Sequence, residues 1–327
     1  MATIKTTGYT LEPSQTPFVE ILRTTPSQTI CPNFFALDHA RGCAFNPLCS
    51  YCYLKDPYYD GARSSAATNI EAMFTEVRNW ISQDNLETYV ANAGNLSDSL
   101  AYESVRPVMG ELVELFRSEA EAKGRPHTLL LVTKGGLDEC AALLERQPCR
   151  NVIVSFSVNN PEAQLLHEKG AATTDERLEA AKVLQDKGWR VRIRIDPMIL
   201  GYDYRGVADA VAALAPERVT LGALRADPGL YPCLSEELRK PLVQAIPTGG
   251  SKYALARYPF DTRLELFRQV ADRLRPVCSL GLCEETPDIW KALGFDWQNT
   301  SCNCEGHSGH HPGFVPAAPP LAALPAQ

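Results

Sequence analysis

The chain has 327 residues and is short of several things, and each shortage excludes something. No apolar run approaches the ~20 residues that a membrane-crossing helix needs, so no membrane is expected. The opening stretch Met1-Ala2-Thr3-Ile4-Lys5-Thr6-Thr7 lacks the apolar centre of a secretory leader. The expected compartment is therefore the cytoplasm. Positive charge is in deficit: 32 Lys and Arg face 39 Asp and Glu, a net charge of −7. Proteins that grip duplex DNA use Lys and Arg to meet phosphates, so duplex DNA is not an expected partner. Nothing points to an oxidising compartment, so disulfides are not expected. A core of this size needs no such staples. Apolar content of 45% and charged content of 22% are those of an ordinary globular protein, with room for one large domain or two small ones.

Against these shortages stands a surplus of cysteine, 11 in all. Three of them, Cys43, Cys49 and Cys52, fall in the run Arg41-Gly42-Cys43-Ala44-Phe45-Asn46-Pro47-Leu48-Cys49-Ser50-Tyr51-Cys52-Tyr53-Leu54. Three thiolates on one loop can grip an iron–sulfur cubane. Such clusters usually take four cysteines, so a three-cysteine loop leaves one iron open to a substrate or cofactor. A lone C-x-x-C reads as a zinc knuckle or redox pair, but zinc wants a second pair at matching spacing, and none lies nearby.

A second group lies near the C-terminus: Cys278, Cys283, and the C-x-C of Cys302 and Cys304. Cys283, Cys302 and Cys304 are expected to ligate a second metal centre, with Cys278 as a candidate fourth ligand. Thiolate sets suit both iron–sulfur and zinc, and unligated core thiols are the remaining reading. Three ligands would leave an open iron. Four would make a closed centre that is structural or relays electrons. Cys31, Cys140, Cys149 and Cys233 read as ordinary thiols, Cys233 gaining a hydrogen-donor role only if its loop folds over the active mouth. The tail from Glu305 carries His307, His310 and His311 and then a Pro/Ala-rich end. Such composition buries no core, and the histidines are read as non-ligating.

Between these groups, apolar runs alternate with helical patterns. Helices are expected over 69–83, 107–123, 137–146, 174–187 and 206–214. Strands are expected over 87–92, 128–132, 151–158, 190–195 and 219–224. Thr173 and Glu176 have capping-box spacing. Repeated β-α units predict a parallel sheet with right-handed crossovers. Five or six units are too few for a closed eightfold barrel. The expected class is thus α/β, a partial (β/α)6 TIM-like barrel with a C-terminal Cys-rich extension. Its expected parts are an N-terminal extension (1–32), the barrel (33–270), the Cys-rich extension (271–304) and a disordered tail (305–327). In such barrels the chemistry sits at the C-terminal ends of the strands, which singles out Asn92, Lys134, Ser157, Asn159, Arg194, Asp196 and Arg225. Arg190, Arg192 and Arg194 alternate and so share a face. Arg194 is expected to point inward beside Asp196, the other two being left open.

The cysteine loop, with Tyr51 before its last cysteine, resembles that of the radical S-adenosylmethionine (SAM) superfamily, although five residues rather than three separate Cys43 from Cys49. From Gly42 to about Tyr258 the chain resembles the spore photoproduct lyase family more specifically. The segments that carry the likeness are the cysteine loop, Leu96-Ser97-Asp98-Ser99-Leu100-Ala101, Val132-Thr133-Lys134, Ser155-Phe156-Ser157-Val158-Asn159 and Asp175-Glu176-Arg177-Leu178-Glu179-Ala180-Ala181. The resemblance implies a [4Fe-4S] cluster on Cys43, Cys49 and Cys52, with SAM on the open iron. It also implies SAM contacts from Ser97, Asp98, Lys134 and Ser157, with Tyr51 and Asn159 nearby. Asn95, Arg194 and Asp196 are the expected catalytic positions. A hydrogen-donating cysteine of the family would stand at Asn95, which puts thymine-lesion repair in doubt. The expected activity is hydrogen abstraction from a small-molecule or nucleoside substrate, with electrons from a flavodoxin or ferredoxin. Sulfur insertion from a second cluster, DNA photoproduct cleavage and a zinc-bound nucleic-acid module are the alternatives.

Overall fold

The structure is a computed structural model that describes residues 4–6, 8–22, 26, 28–31, 33–59, 64–246, 254–297, 302 and 304. The expected disordered tail and its three histidines lie outside the described residues. Eight strands form the main sheet: β1 (Val19–Leu22), β2 (Phe34–Leu37), β3 (Val90–Asn92), β4 (Thr128–Thr133), β5 (Val152–Val158), β6 (Arg190–Met198), β7 (Arg218–Ala223) and β8 (Ser279–Leu282). They lie side by side in chain order. Every neighbouring pair from β2 to β8 is parallel, and only β1 runs antiparallel, against β2. Sequential parallel order with helical crossovers bends a sheet one way, which is the geometry of a TIM-like barrel left open.

The crossovers are α1 (Ile70–Ile81), α2 (Met109–Phe116), α3 (Ala141–Leu144), α4 (Pro161–His167), α5 (Thr174–Asp186), α6 (Arg205–Leu214) and α7 (Phe260–Leu274). Helix α5 starts where the sequence places it. The Thr173 hydroxyl accepts from the Glu176 N–H at 3.3 Å, and the Glu176 carboxylate accepts from the Thr173 N–H at 2.6 Å. The helices expected over 69–83, 107–123 and 137–146 shorten, whereas α6 begins one residue earlier than expected, at Arg205. After α2 the chain continues as a wider turn over Arg117–Glu121, and the helix expected over 137–146 is helical only over Ala141–Leu144. The boundary expected at 270/271 falls inside α7, and β8, within the expected extension, is a seventh parallel strand.

The strand residues that face outward, such as Leu131, Phe156, Ile193 and Leu221, are fully buried beneath Val77, Leu112, Leu184, Val207 and Phe267 of the helices. Each such side chain contributes roughly 1.5–3 kcal/mol by leaving water. The inward face is divided. Val90, Leu130 and Ile153, with Val132, form an apolar patch on β3–β5. Toward β7 the registered row is Ser155, Arg192, Arg218, and the next is Ser157, Arg194, Thr220. Arg190, Arg192 and Arg194 therefore all face inward. At the closed end Glu217 holds the first two, accepting from Arg190 Nη2 and Arg192 Nη2 at 2.7 Å each.

Candidate cluster and cofactor site

The cysteine loop leaves β2 and is pinched at its base. Ala40–Arg41 pairs antiparallel with Ser65–Ala67, in a small sheet that also contains Tyr9–Glu12 and Ile4–Thr6. The Ser64 hydroxyl donates to Cys43 O at 3.0 Å. Inside the loop the Cys52 N–H donates to Cys49 O at 3.1 Å, a tight turn between those two cysteines. All three thiols are half-buried, and each is within electrostatic reach of the others. Burial pushes Cys49 up to about 12, with Lys134 pulling the other way, and raises Cys43 and Cys52 as well. Without a metal they are neutral thiols. Among the described residues no three Cys, His, Asp or Glu side chains close on a single ion. Ligands of a cubane sit around its corners rather than meeting at one point, so three thiols on one loop fit a cluster of several irons.

The loop is tied to the segment that ends α4. The Ser50 N–H donates to His167 O at 2.8 Å, and Ser50 Oγ is hydrogen-bonded to His167 Nδ1 at 2.8 Å. His167 Nε2 lies 3.2 Å from the Tyr202 hydroxyl. Gly170 presses on the extra residues of the loop: a Cβ there would stand 2.6 Å from both Asn46 N and Pro47 O. Both obstacles are backbone and cannot swing aside. Gly170→Ala should displace the loop and lower iron content after anaerobic reconstitution several-fold, while the melting temperature falls only modestly. Iron analysis checks this, and parental iron content in the variant would refute it.

Glu168 is the hub beneath the loop. It is fully buried and accepts from the Tyr51 hydroxyl, from Asn159 Nδ2 at 3.0 Å, from Lys134 Nζ at 3.3 Å and from Arg177 Nη1 at 2.5 Å. Burial alone would raise its pKa. The charges of Lys134 and Arg177, with the Tyr51 and Asn159 hydrogen bonds, overcome that and bring it down to about 2. Sequence reading missed Glu168. It sits among His167, Glu168 and Lys169 and looks like a solvated helix end.

The structure sorts the expected cofactor residues. Lys134 keeps a 17% exposed side chain and lies 5.8 Å from the Tyr51 ring centre. Asp98 accepts from the Lys134 N–H at 2.6 Å and from the Thr133 hydroxyl at 2.9 Å, so it fixes the end of β4 beside Cys43. The Ser97 hydroxyl donates to Asp98 O at 3.1 Å. Ser157 is buried on the inward face, level with Arg194. Asn159 is fully engaged: besides Glu168 it donates to Pro197 O at 3.2 Å and accepts from the Tyr204 hydroxyl at 2.8 Å. These bonds brace the ends of the neighbouring strands. Tyr51 is likewise spent on Glu168. Asn95 is half-buried on the loop after β3.

Arg194 and Asp196 meet as expected but belong to a larger group. Asp196 accepts from Arg194 Nη2, and from Arg225 Nη1 at 2.8 Å. Burial opposes its ionisation, but the two guanidiniums hold it well below the usual carboxylate range. Gly222 makes the room, since a Cβ there would sit 2.3 Å from Asp196 Oδ1. Both arginines also donate to Cys283 Sγ, Arg225 at 3.1 Å and Arg194 at 3.4 Å. Cys278 is not in this group: its thiol faces Leu274 O at 3.4 Å on α7. Cys233 does reach the cysteine loop, with Sγ 3.5 Å from Lys55 O.

A family model described as spore photoproduct lyase matches residues 14–217. The chain belongs to the spore photoproduct lyase family. A spore photoproduct lyase of Clostridium acetobutylicum is 23% identical over 195 residues, 58% of this chain and 54% of that protein. The match thus spans about half the length of that curated family member. Among solved structures, a cysteine-to-alanine mutant of spore photoproduct lyase superposes with a TM-score of 0.66 at 17% identity, covering 83% of this chain and 80% of that one. A double mutant with bound AdoMet and dinucleoside spore photoproduct gives 0.63 at 15% identity, with coverage of 83% and 80%. These likenesses show the fold, the partial barrel of the lyase family. Among the described residues no helix is long and apolar enough to cross a membrane.

Proposed function

We propose that the protein is a cytoplasmic radical SAM enzyme acting on a nucleoside-like or other small substrate, with a flavodoxin or ferredoxin as reductant. The observation that carries this is the three-thiol loop braced by Glu168 at the mouth of an open barrel of the lyase family. Cys43, Cys49 and Cys52 would hold a [4Fe-4S] cluster, which together with SAM and one electron from the reductant would supply reductive SAM cleavage and, through it, hydrogen-atom abstraction from the substrate. The chain's own residues position and shield that chemistry. Tyr51 and Ser50 fasten the loop to α4 and Glu168. Asp98 fixes the backbone of Lys134, so that its ammonium stands at the β4 end to meet a carboxylate. Ser97 and Ser157 offer hydroxyls close by. The structures solved with AdoMet and dinucleoside spore photoproduct support a ligand of nucleoside type.

Lys134→Ala should weaken SAM binding roughly 10- to 100-fold, the worth of a charge-assisted hydrogen bond. Calorimetry on the reconstituted protein reads the affinity, and visible absorption confirms that the cluster is intact. Equal affinity in variant and parent would remove Lys134 from the SAM site.

Asn95 bears on the substrate. An amide does not give up a hydrogen atom readily, so the product radical of a thymine lesion would find no donor there. Incubation with dinucleoside spore photoproduct, SAM and dithionite should yield 5′-deoxyadenosine without restored thymine. Efficient restoration would make this chain a photoproduct lyase after all, with Cys233, which touches the loop at Lys55, the first donor to test.

A further inference from the structure

The thiols outside the cysteine loop come together from opposite ends of the chain. Strand β8 ends at Leu282, and the Cys283 N–H donates to Leu221 O at 2.8 Å, which fixes Cys283 at the C-terminal end of the seventh parallel strand. The Ile30 N–H donates to Glu285 O at 2.7 Å in an antiparallel bridge. That bridge sets Cys31 across from Glu284, next to Cys283. Cys302 and Cys304 are buried against Phe34 and Leu22, and Arg218 Nη1 donates to Cys302 O at 3.1 Å. Cys31 lies within electrostatic reach of Cys283 and Cys302, and Cys304 within reach of Cys31 and Cys302. Cys278, turned to Leu274, has no such neighbour.

We infer that Cys31, Cys283, Cys302 and Cys304 form a second, closed metal centre with four thiolate ligands. The fourth ligand comes from the N-terminal extension and not from Cys278. Four thiolates around an iron–sulfur cubane or a zinc ion leave a net negative charge, and burying it requires nearby cations. Arg194 and Arg225 provide them, each donating to Cys283 Sγ. Hydrogen bonds to ligand sulfurs also set the potential of such a centre. Because the ligands must lose their protons to bind, metal loading and closure of the four thiols occur together. A full complement of four leaves no open iron. The centre then relays electrons or holds the chain ends together, and it cannot present a free iron carrying a sulfur for transfer.

The inference does not depend on the function of the first loop, and its test is built to keep the two apart. The full chain with Cys43→Ala, Cys49→Ala and Cys52→Ala is purified anaerobically and reconstituted with ferrous iron and sulfide, or in a second arm with zinc chloride. It should retain roughly four irons with sulfide, or about one zinc, per chain. Adding Cys31→Ser, or Cys302→Ser with Cys304→Ser, should remove that metal, while Cys278→Ser leaves it. Iron with sulfide identifies a cluster and zinc a structural site, and either sustains the centre. No bound metal in either arm overturns it, as does loss with Cys278→Ser but not with Cys31→Ser. Should a variant fail to fold, alkylation of the unmutated protein, mapped by mass spectrometry, decides. Metal should protect Cys31, Cys283, Cys302 and Cys304 but not Cys278, and equal labelling of all five with and without metal overturns the assignment.

Discussion

Replacing Cys43, Cys49 and Cys52 together by alanine should reduce 5′-deoxyadenosine formation from SAM and dithionite to the level seen without protein. The three thiols are the only ones on this loop, and no cysteine elsewhere is placed to substitute. Cys140 and Cys149 are buried in the core under the helices, and Cys233 Sγ faces the backbone carbonyls of Lys55 and Gly229. The fold should survive, because the loop is anchored by Ser50, Tyr51 and the strand pairing at its base rather than by its thiols. Near-parental circular dichroism with no cleavage of SAM is the expected pair of results. Undiminished 5′-deoxyadenosine in the triple variant would sink the radical SAM reading altogether.

Glu168→Gln should be the most damaging single substitution outside the loop. The amide fills the same space but leaves Arg177, which has no solvent exposure, and Lys134 without their shared carboxylate. Breaking a buried ion pair by removing one partner costs about 3–5 kcal/mol, a fall in melting temperature on the order of 10 °C. The Tyr51 anchor weakens at the same time, so iron content should fall too. The pH dependence follows from the same group. Glu168 titrates at about 2 in the folded protein against a usual 4.5. A depressed carboxylate adds stability above its unfolded pKa, and that stability is lost as pH falls through the folded one. The parent should therefore lose about 3 kcal/mol between roughly pH 4.5 and pH 2, and the Gln variant should lack that component. Chemical denaturation across this range, in parent and variant, gives the comparison. Identical pH profiles would show that Glu168 carries no such charge.

What could be read from the sequence depended on whether the signal was local. The start of α5 was legible because Thr173 and Glu176 cap each other across three positions. The barrel was legible because β4 to β7 each carry an unbroken apolar face. Strand β8 was not, since Ser279-Leu280-Gly281-Leu282 is short and contains a glycine. Among the site residues, the strand-end rule brought forward Lys134, Ser157, Asn159, Arg194 and Asp196, but it could not say which of them were already occupied. Asn159 and Tyr51 satisfy one buried carboxylate whose position in the chain gives no hint of burial. Cys31 and Cys278 show the same limit. Proximity in sequence favoured Cys278, whereas the bridge from Ile30 to Glu285 joins segments that only the folded barrel brings together.

That bridge has a further consequence, for self-association. An open barrel leaves two sheet margins, and unpaired strand margins recruit other chains. Here each margin is partly engaged by the chain itself. Beyond β8, Ile30 pairs with Glu285. At the other margin Glu76 of α1 accepts from the Phe18 and Val19 N–H groups at 2.7 and 3.2 Å, so a carboxylate takes the donors at the start of β1. Part of the hydrogen-bonding row at each flank is thus already taken, which shortens the template the open sheet offers for strand-to-strand aggregation.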